Sequence, residues 1–371
     1  MPVVPAPSSE RLARAQRAIA EAGWEALLLS AGTDLRYLTG YEAHVSERLT
    51  CLVVPAEGEP LLVVPELEAP MVPAAGATTP LRPWAETENP FAIVAAQLRQ
   101  VGPPGTVGIG NRMWAEHALR LGSEADARLE LAGGLMAQLR MRKDAAECAA
   151  LLEAGQAIDR VHARMAEWLR PGRTEREIGR DIADAIVAEG HERAEFTIVG
   201  SGPNGASPHH LLSDRVIETG DVVVVDIGGV TEAGYYSDST RTYLAGGTVA
   251  PEVNDFYAVL QAAQDAACRV VSPGIPAEQV DATARKIIDD AGYGSNFIHR
   301  TGHGIGLDVH EDPYIVSGND IALEPGMAFS IEPGIYLPGR FGARIEDIVI
   351  CTAEGAKRLN IGSRDLVTLD A

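Results

Sequence analysis

The chain is poor in cysteine and in positive charge, and it has no long apolar run. Its four cysteines, Cys51, Cys148, Cys268 and Cys351, are widely separated and form no CxxC pair. Neither a zinc knuckle nor a disulfide framework is expected, and the thiols read as reduced and buried. Only 31 lysines and arginines stand against 52 acidic residues, a formal charge of -21. A field of that sign repels phosphate backbones and anionic lipid surfaces, so neither nucleic acid nor a membrane is an expected partner. No stretch reaches the ~18 apolar residues of a membrane span. The opening MPVVPAPSSERLARAQ also lacks the apolar core of a signal peptide, so a cytoplasmic location is expected.

What remains is an ordinary globular composition, 46% hydrophobic and 22% charged. At 371 residues the chain exceeds the size at which one core usually stops growing, so two domains are expected. After a proline-rich, loose start, Leu12, Ala15 and Ile19 recur at helical spacing before a stop at Gly23. EALLLS, RLTCLVVP and EPLLVVPE read as strands, FAIVAAQLRQV as a helix and TVGIG as another strand. This alternation predicts a small α/β domain over residues 1–140.

From Asp144, with Glu147 completing a capping box, the pattern predicts one long helix through Trp168 to a stop at Pro171-Gly172. Thr174 and Glu177 open the next helix, whose stripe of Ile178, Ile182 and Ile186 ends at Gly190. The grammar then returns. Pro171 and Pro273, Gly172 and Gly274, Ile178 and Val280, Ile186 and Ile288, and Gly190 and Gly292 are each separated by 102 positions. A duplicated half-domain follows, each half ending in strands: VVVVDIGG and YYSDSTRTYL after the first, MAFSIEPGIYL and ARIEDIVI after the second.

Every conspicuous acid falls in or beside one of those strands. Asp226 interrupts an all-valine run, where an unpaired carboxylate is costly unless compensated. Asp238 lies twelve positions on, across a glycine-containing bend, so a returning strand can bring the two together. Like charges in one place need a cation. Glu332 precedes Pro333-Gly334, and Glu346 sits in an apolar strand whose alternation sends Glu346 inward and Asp347 outward. His303 lies in TGHGIG, where flanking glycines allow a tight backbone and an imidazole open to a cleft. Five of the nine histidines, His209, His210, His299, His303 and His310, fall in two short windows, which favours a site. Four carboxylates with one imidazole suit Mn(II) or another first-row divalent ion, with Co(II) or Zn(II) as alternatives.

The segments SPHH, VVVVDIGG, YYSDSTRT, TGHGIGLDVHE, SIEPGIY and ARIEDIV resemble the motifs of the proline-specific "pita-bread" metallopeptidases, the Xaa-Pro dipeptidases and Xaa-Pro aminopeptidases. The resemblance spans most of residues 141–371. It implies an α+β catalytic domain of duplicated, creatinase/aminopeptidase-like type there. TDLRYLTGY is similar to the family's amino-terminal domain.

The resemblance implies two divalent metal ions held by Asp226, Asp238, His303, Glu332 and Glu346, with Asp238 and Glu346 bridging. It makes Glu332 the general base and later proton donor, and His209 the donor to the carbonyl or oxyanion. His310 would serve on the catalytic side, His299 and Arg344 on the substrate side, while His210 is as readily an exposed neighbour. Arg344 is open to a second reading as half of a local ion pair. One departure stands out: where some dipeptidases place an arginine for the substrate carboxylate, this chain has Tyr314. Arg36, Arg48 or Arg340 is left to supply that charge. The expected activity is hydrolysis of short proline-containing peptides, above all Xaa-Pro dipeptides, by a homodimer. The competing readings are an Xaa-Pro aminopeptidase of longer peptides, a non-catalytic scaffold, and a metal-independent hydrolase of the creatine-cleaving type.

Overall fold

A computed structural model describes residues 9–72, 79–102 and 105–369, and the proline-rich start lies outside them. The described residues divide into two compact units, those up to residue 140 and those from residue 141 on.

In the first unit, helix α1 (Ser9–Glu21) buries Leu12, Ala15 and Ile19, and the chain turns at Gly23 with φ +71°. A six-stranded mixed sheet follows, with strands β1 (Ala26–Ser30), β2 (Cys51–Pro55), β3 (Leu61–Pro65), β4 (Leu81–Trp84), β5 (Thr106–Ile109) and β6 (Arg128–Leu131). Their order is β4-β3-β2-β1-β5-β6. Helices α2 (Thr33–Thr39), α3 (Pro90–Val101), α4 (Ala115–Ala125) and α5 (Gly133–Met141) complete it. Leu28, Val53, Val63, Phe91, Val94 and Leu121 form one core between this sheet and α3 and α4. Strands β4 and β6 escape the sequence reading because each has four residues, mostly half-exposed, with no apolar alternation.

The second unit opens on α6 (Ala145–Ala163), and its predicted capping box is formed. The Asp144 carboxylate accepts from Ala146 N and Glu147 N, while Glu147 accepts from Asp144 N, all at 2.9 Å. The helix does not run on to Trp168. It ends at Ala163 and a 3₁₀ turn over Met165–Glu167 continues the path. Met165 and Leu169 still enter the core, so the apolar spacing persists past the true end. Helix α7 (Glu175–Ala188) follows with its own capping box.

Strands β7 (His191–Ser201), β8 (Asp221–Thr231) and β9 (Ser239–Ala245) lead to helices α8 (Pro251–Val270) and α9 (Ala277–Asp290). Strands β10 (Gly302–Gly304), β11 (Glu311–Ile315), β12 (Ala328–Ile331), β13 (Gly334–Leu337), β14 (Phe341–Arg344), β15 (Asp347–Thr352), β16 (Gly355–Arg358) and β17 (Val367–Leu369) complete the unit. One sheet runs β17-β9-β8-β7, another β11-β10-β12-β15-β16, and β13 pairs with β14. The 102-residue repeat is visible in local geometry: Gly172 and Gly274 turn at φ +88° and +90°, and the bridge Thr174–Val216 has a counterpart in Pro276–Ala322. Among the described residues no helix is long and apolar enough to cross a membrane.

Candidate metal centre

Strand alternation decides what β8 offers to each side. Val223, Val225 and Ile227 pack with Ile158, Ile178, Ile182 and Ile186 of α6 and α7, so Asp226 points to the other face. In the antiparallel register Asp226 lies between Ile198 of β7 and Thr240 of β9. Asp238 sits one residue before β9 and is held from both sides. His191 Nε2 is 2.7 Å from the Ser237 hydroxyl, and His162 Nε2 is 3.2 Å from the Ser239 carbonyl. Burial keeps both imidazoles neutral, with pKa values lowered to about 3 for His162 and about 4 for His191.

The second half supplies the rest. The Asp281 carboxylate accepts from Thr301 N and Oγ1, while Arg285 clamps Asp281 and donates to the Phe297 and His299 carbonyls, fixing the approach to β10. The glycines beside His303 serve close backbone approach: a Cβ on Gly302 would lie 1.9 Å from Ser330 O, and one on Gly304 2.2 Å from Asp312 O. His303 is only 2% exposed, yet its imidazole lines the cavity that the cluster of acids shares. Glu346 lies between β14 and β15, not inside a strand as the alternation predicts. Its N–H donates to Thr240 O and its Oε2 accepts from Thr240 Oγ1 at 2.8 Å. Asp347 does take the opposite side, but that side is core: it is fully buried and paired with Arg241 at 2.8 Å.

Asp226, Asp238, His303, Glu332 and Glu346 all line one cavity of about 650 Å³. Asp238, His303 and Glu346 offer ligand atoms within 4.8 Å of one another. His303 Nε2 is 3.2 Å from Glu332 Oε1 and 3.6 Å from Asp238 Oδ2. His303 Nδ1 lies 3.1 Å from the Gly304 carbonyl, which can only accept, so Nδ1 carries the proton and Nε2 faces the carboxylates.

The electrostatics of this cluster are unbalanced. Burial and the Asp226 carboxylate push Asp238 well above the usual carboxylate range, and burial with Asp238, Glu332 and Asp226 does the same to Glu346. Burial also acts on Glu332, but its hydrogen bond with His303 and the nearby positive charges win and hold it at about 2. Burial opposes charge on His303, and Glu332 and Asp238 outweigh it and raise its pKa. Two buried oxygens, Asp226 Oδ1 and Glu346 Oε1, have no hydrogen-bond partner. Orphaned carboxylate oxygens beside an imidazole whose Nε2 is turned toward the acids are what a divalent cation satisfies, so the residues present fit a metal.

Around the acids stand the remaining residues picked out from the sequence. His209, His299, His310 and Arg344 line the cavity, and Tyr314 is not among its lining residues. Arg344 donates to Asp226 Oδ2 at 2.6 Å and to Tyr336 OH at 2.7 Å, so its carboxylate partner is a cavity acid 118 residues away, not a local one. Tyr336 OH in turn donates to His299 Nε2 at 2.9 Å. The His310 ring meets His303 edge to face at 4.2 Å, and burial with the charges of His303 and Arg300 lowers its pKa to about 4.

His210 is no exposed neighbour. It donates from Nε2 to the fully buried Glu175 at 2.7 Å. Glu175 also accepts from Ser201 N, Ser201 Oγ, Asn204 Nδ2 and Ser213 Oγ, so it ties both ends of the segment carrying His209 to the start of α7. Burial alone would raise the Glu175 pKa, and these hydrogen bonds lower it. The sequence reading assigns Glu175 no place in the site, because an acid in the first turn of a helix is ordinary. Arg36, Arg48 and Arg340 are each ion-paired elsewhere: Arg36 with Glu42, Arg48 with Glu47 and Glu86, and Arg340 with Glu252.

Residues 149–353 match the model of metallopeptidase family M24, and residues 11–142 match the creatinase/prolidase N-terminal domain. The chain is 51% identical to a probable dipeptidase PepE of Mycobacterium tuberculosis, over 97% of this chain and 96% of that protein. The crystal structure of dipeptidase PepE from Mycobacterium ulcerans superposes with a TM-score of 0.93 at 51% identity, covering 98% of each chain. A recombinant prolidase from Thermococcus sibiricus gives a TM-score of 0.90 at 40% identity, covering 97% of this chain and 98% of that one.

Proposed function

Because this chain belongs to metallopeptidase family M24, we propose that it hydrolyses the peptide bond before proline in Xaa-Pro dipeptides. The observation that carries this reading is the gathering of three buried carboxylates, a partly buried fourth (Glu332) and one imidazole around a single cavity, with two carboxylate oxygens orphaned. The activity is taken from relatives: dipeptidase and prolidase are the names of two of the proteins it resembles.

Asp226, Asp238, His303, Glu332 and Glu346 would hold two divalent ions, and the oxygen-rich set suits Mn(II). Bound there, the ions supply Lewis acidity that activates water and polarises the scissile carbonyl. Glu332, kept ionised by His303, accepts the proton of the attacking water and returns it to the leaving proline nitrogen. His209, anchored through its neighbour His210 to Glu175, donates to the oxygen on which charge develops. Arg344, bound to Asp226 and Tyr336, holds the Asp226 carboxylate in orientation.

The test is proline release from a panel of Xaa-Pro dipeptides by protein loaded with Mn(II), Co(II) or Zn(II). Release with at least one metal is expected, and loss of that release after chelation. Metal-loaded protein that frees no proline from any of them sinks the proposal. Tyr314, standing where some dipeptidases have an arginine, favours the second reading, an aminopeptidase of longer peptides. Faster turnover of a dipeptide than of the tripeptide that extends it removes that reading.

A further inference from the structure

The cavity has two arginines in its lining, Arg300 and Arg344. Arg344 is committed: its guanidinium donates to Asp226, Tyr336 and Thr240 Oγ1. Arg300 differs, since among the described residues no carboxylate is paired with it. Its guanidinium carbon lies over the Tyr314 ring, 4.5 Å from the centroid, and the side chain is half-buried. One face of the guanidinium is therefore packed, while its N–H edges stay available.

The backbone beneath Arg300 is rigid. Thr301, the next residue, is tied by Asp281 through both N–H and hydroxyl, and its N–H also donates to Ile315 O of β11. Arg300 thus stands three residues before His303 on a fixed stub, with Tyr314 on the neighbouring strand as its platform. A guanidinium backed by an aromatic ring loses less rotamer freedom when a planar carboxylate docks on its fork. A dipeptide brings one such carboxylate, at its C-terminus, into a cavity whose own carboxylates repel it.

We propose that Arg300, supported by Tyr314, binds the C-terminal carboxylate of the dipeptide and so sets the preference for dipeptides over longer or amidated substrates. This rests on the hydrolysis proposed above. It also gives Tyr314 a task compatible with its lack of charge: the cation comes from the segment just before β10, and the ring orients it.

The experiment compares alanylproline with alanylproline amide in the metal-loaded wild type and in Arg300→Met and Arg300→Lys. Arg300→Met keeps the apolar stem over Tyr314 and loses the charge; Arg300→Lys keeps a charge without the fork. The wild type should favour the free acid. Arg300→Met should lower kcat/KM on alanylproline by about 10- to 100-fold, mainly through KM, and bring the acid-to-amide ratio toward one. Arg300→Lys should fall between, and metal content should be unchanged in both.

An active wild type whose acid-to-amide ratio is the same in Arg300→Met overturns the inference and leaves the proposed function standing. Equal loss on acid and amide also overturns it, as does a loss confined to aspartylproline, which would assign Arg300 to the first residue's side chain. A wild type that frees no proline overturns the proposed function and this assignment together.

Discussion

Glu346 and Asp347 are neighbours in sequence, both essentially without solvent exposure, and their surroundings are opposite. On one side of the chain Asp347 meets Arg241 at 2.8 Å and Gln264 at 3.1 Å, with Arg358 at 3.5 Å: its counter-charge is built in. On the other side Glu346 has one oxygen bonded to Thr240 and one left orphaned, amid Asp238, Glu332 and Asp226. Burying a charge is tolerable when the partner is present and expensive when it is not. The Asp347 side is thus a finished structural network, while the Glu346 side is complete only with a cation from outside.

The comparison breaks if the two acids respond alike to substitution. Glu346→Gln should reduce metal binding and proline release by more than the roughly 10- to 100-fold typical of losing an outer-shell partner. The same change should leave metal-free stability equal or higher, because it removes a carboxylate whose ionisation its neighbours oppose. Asp347→Ala should do the reverse, costing about 3–5 kcal/mol by stranding the Arg241 guanidinium while leaving metal stoichiometry of the folded protein intact. Urea denaturation in chelator, metal analysis and proline release together read both arms.

A smaller effect separates the framework from the cluster by pH. His162 and His191 are buried neutral, with folded pKa values of about 3 and 4, below the ordinary 6.5. Above pH 6.5 neither state is protonated and no penalty arises. As pH falls below 6.5 the unfolded chain takes up the protons, so stability drops with a slope of up to about 1.4 kcal/mol per pH unit for each histidine. His162→Gln should flatten that decline relative to wild type in metal-free protein between pH 6.5 and 5. The difference between the two curves cancels the cavity carboxylates, and identical slopes would show that His162 is not buried neutral.

Glu175 offers a third case and the smallest expected change. It is as buried as Asp347, yet its oxygens are satisfied by hydroxyls, an amide, a backbone N–H and His210. Glu175→Gln keeps much of that geometry and should lower kcat by roughly 10-fold with KM little changed, through a less firmly held His209. A loss appearing only in KM would detach Glu175 from the catalytic step.

Much of this was legible beforehand, for identifiable reasons. Both capping boxes, the paired glycine turns and the stripe of Ile178, Ile182 and Ile186 depend on residues a few positions apart. The five cavity residues proposed as metal ligands stood out because acids and one histidine interrupt apolar strands. Less legible were the end of α6, where Met165 and Leu169 prolong the apolar spacing beyond the helix, and β4 and β6, too short to alternate. Least legible was Arg300, which among the described residues has no paired carboxylate and carries no sequence mark distinguishing it from a surface arginine, while Arg36, Arg48 and Arg340 are all paired.

By itself the sequence determined the repeated helix-and-strand order, the helix ends marked by caps and glycines, and the chemical types gathered for a metal, since each follows from local spacing. Only the tertiary structure decided which acids share a cavity, which are neutralised, and which arginines line that cavity. Those outcomes hang on contacts such as Arg344 with Asp226, 118 residues apart, and on Thr240 with Glu346 and Arg241 with Asp347, each 106 apart. At such separations no periodicity links the partners, and the strand register alone brings them together.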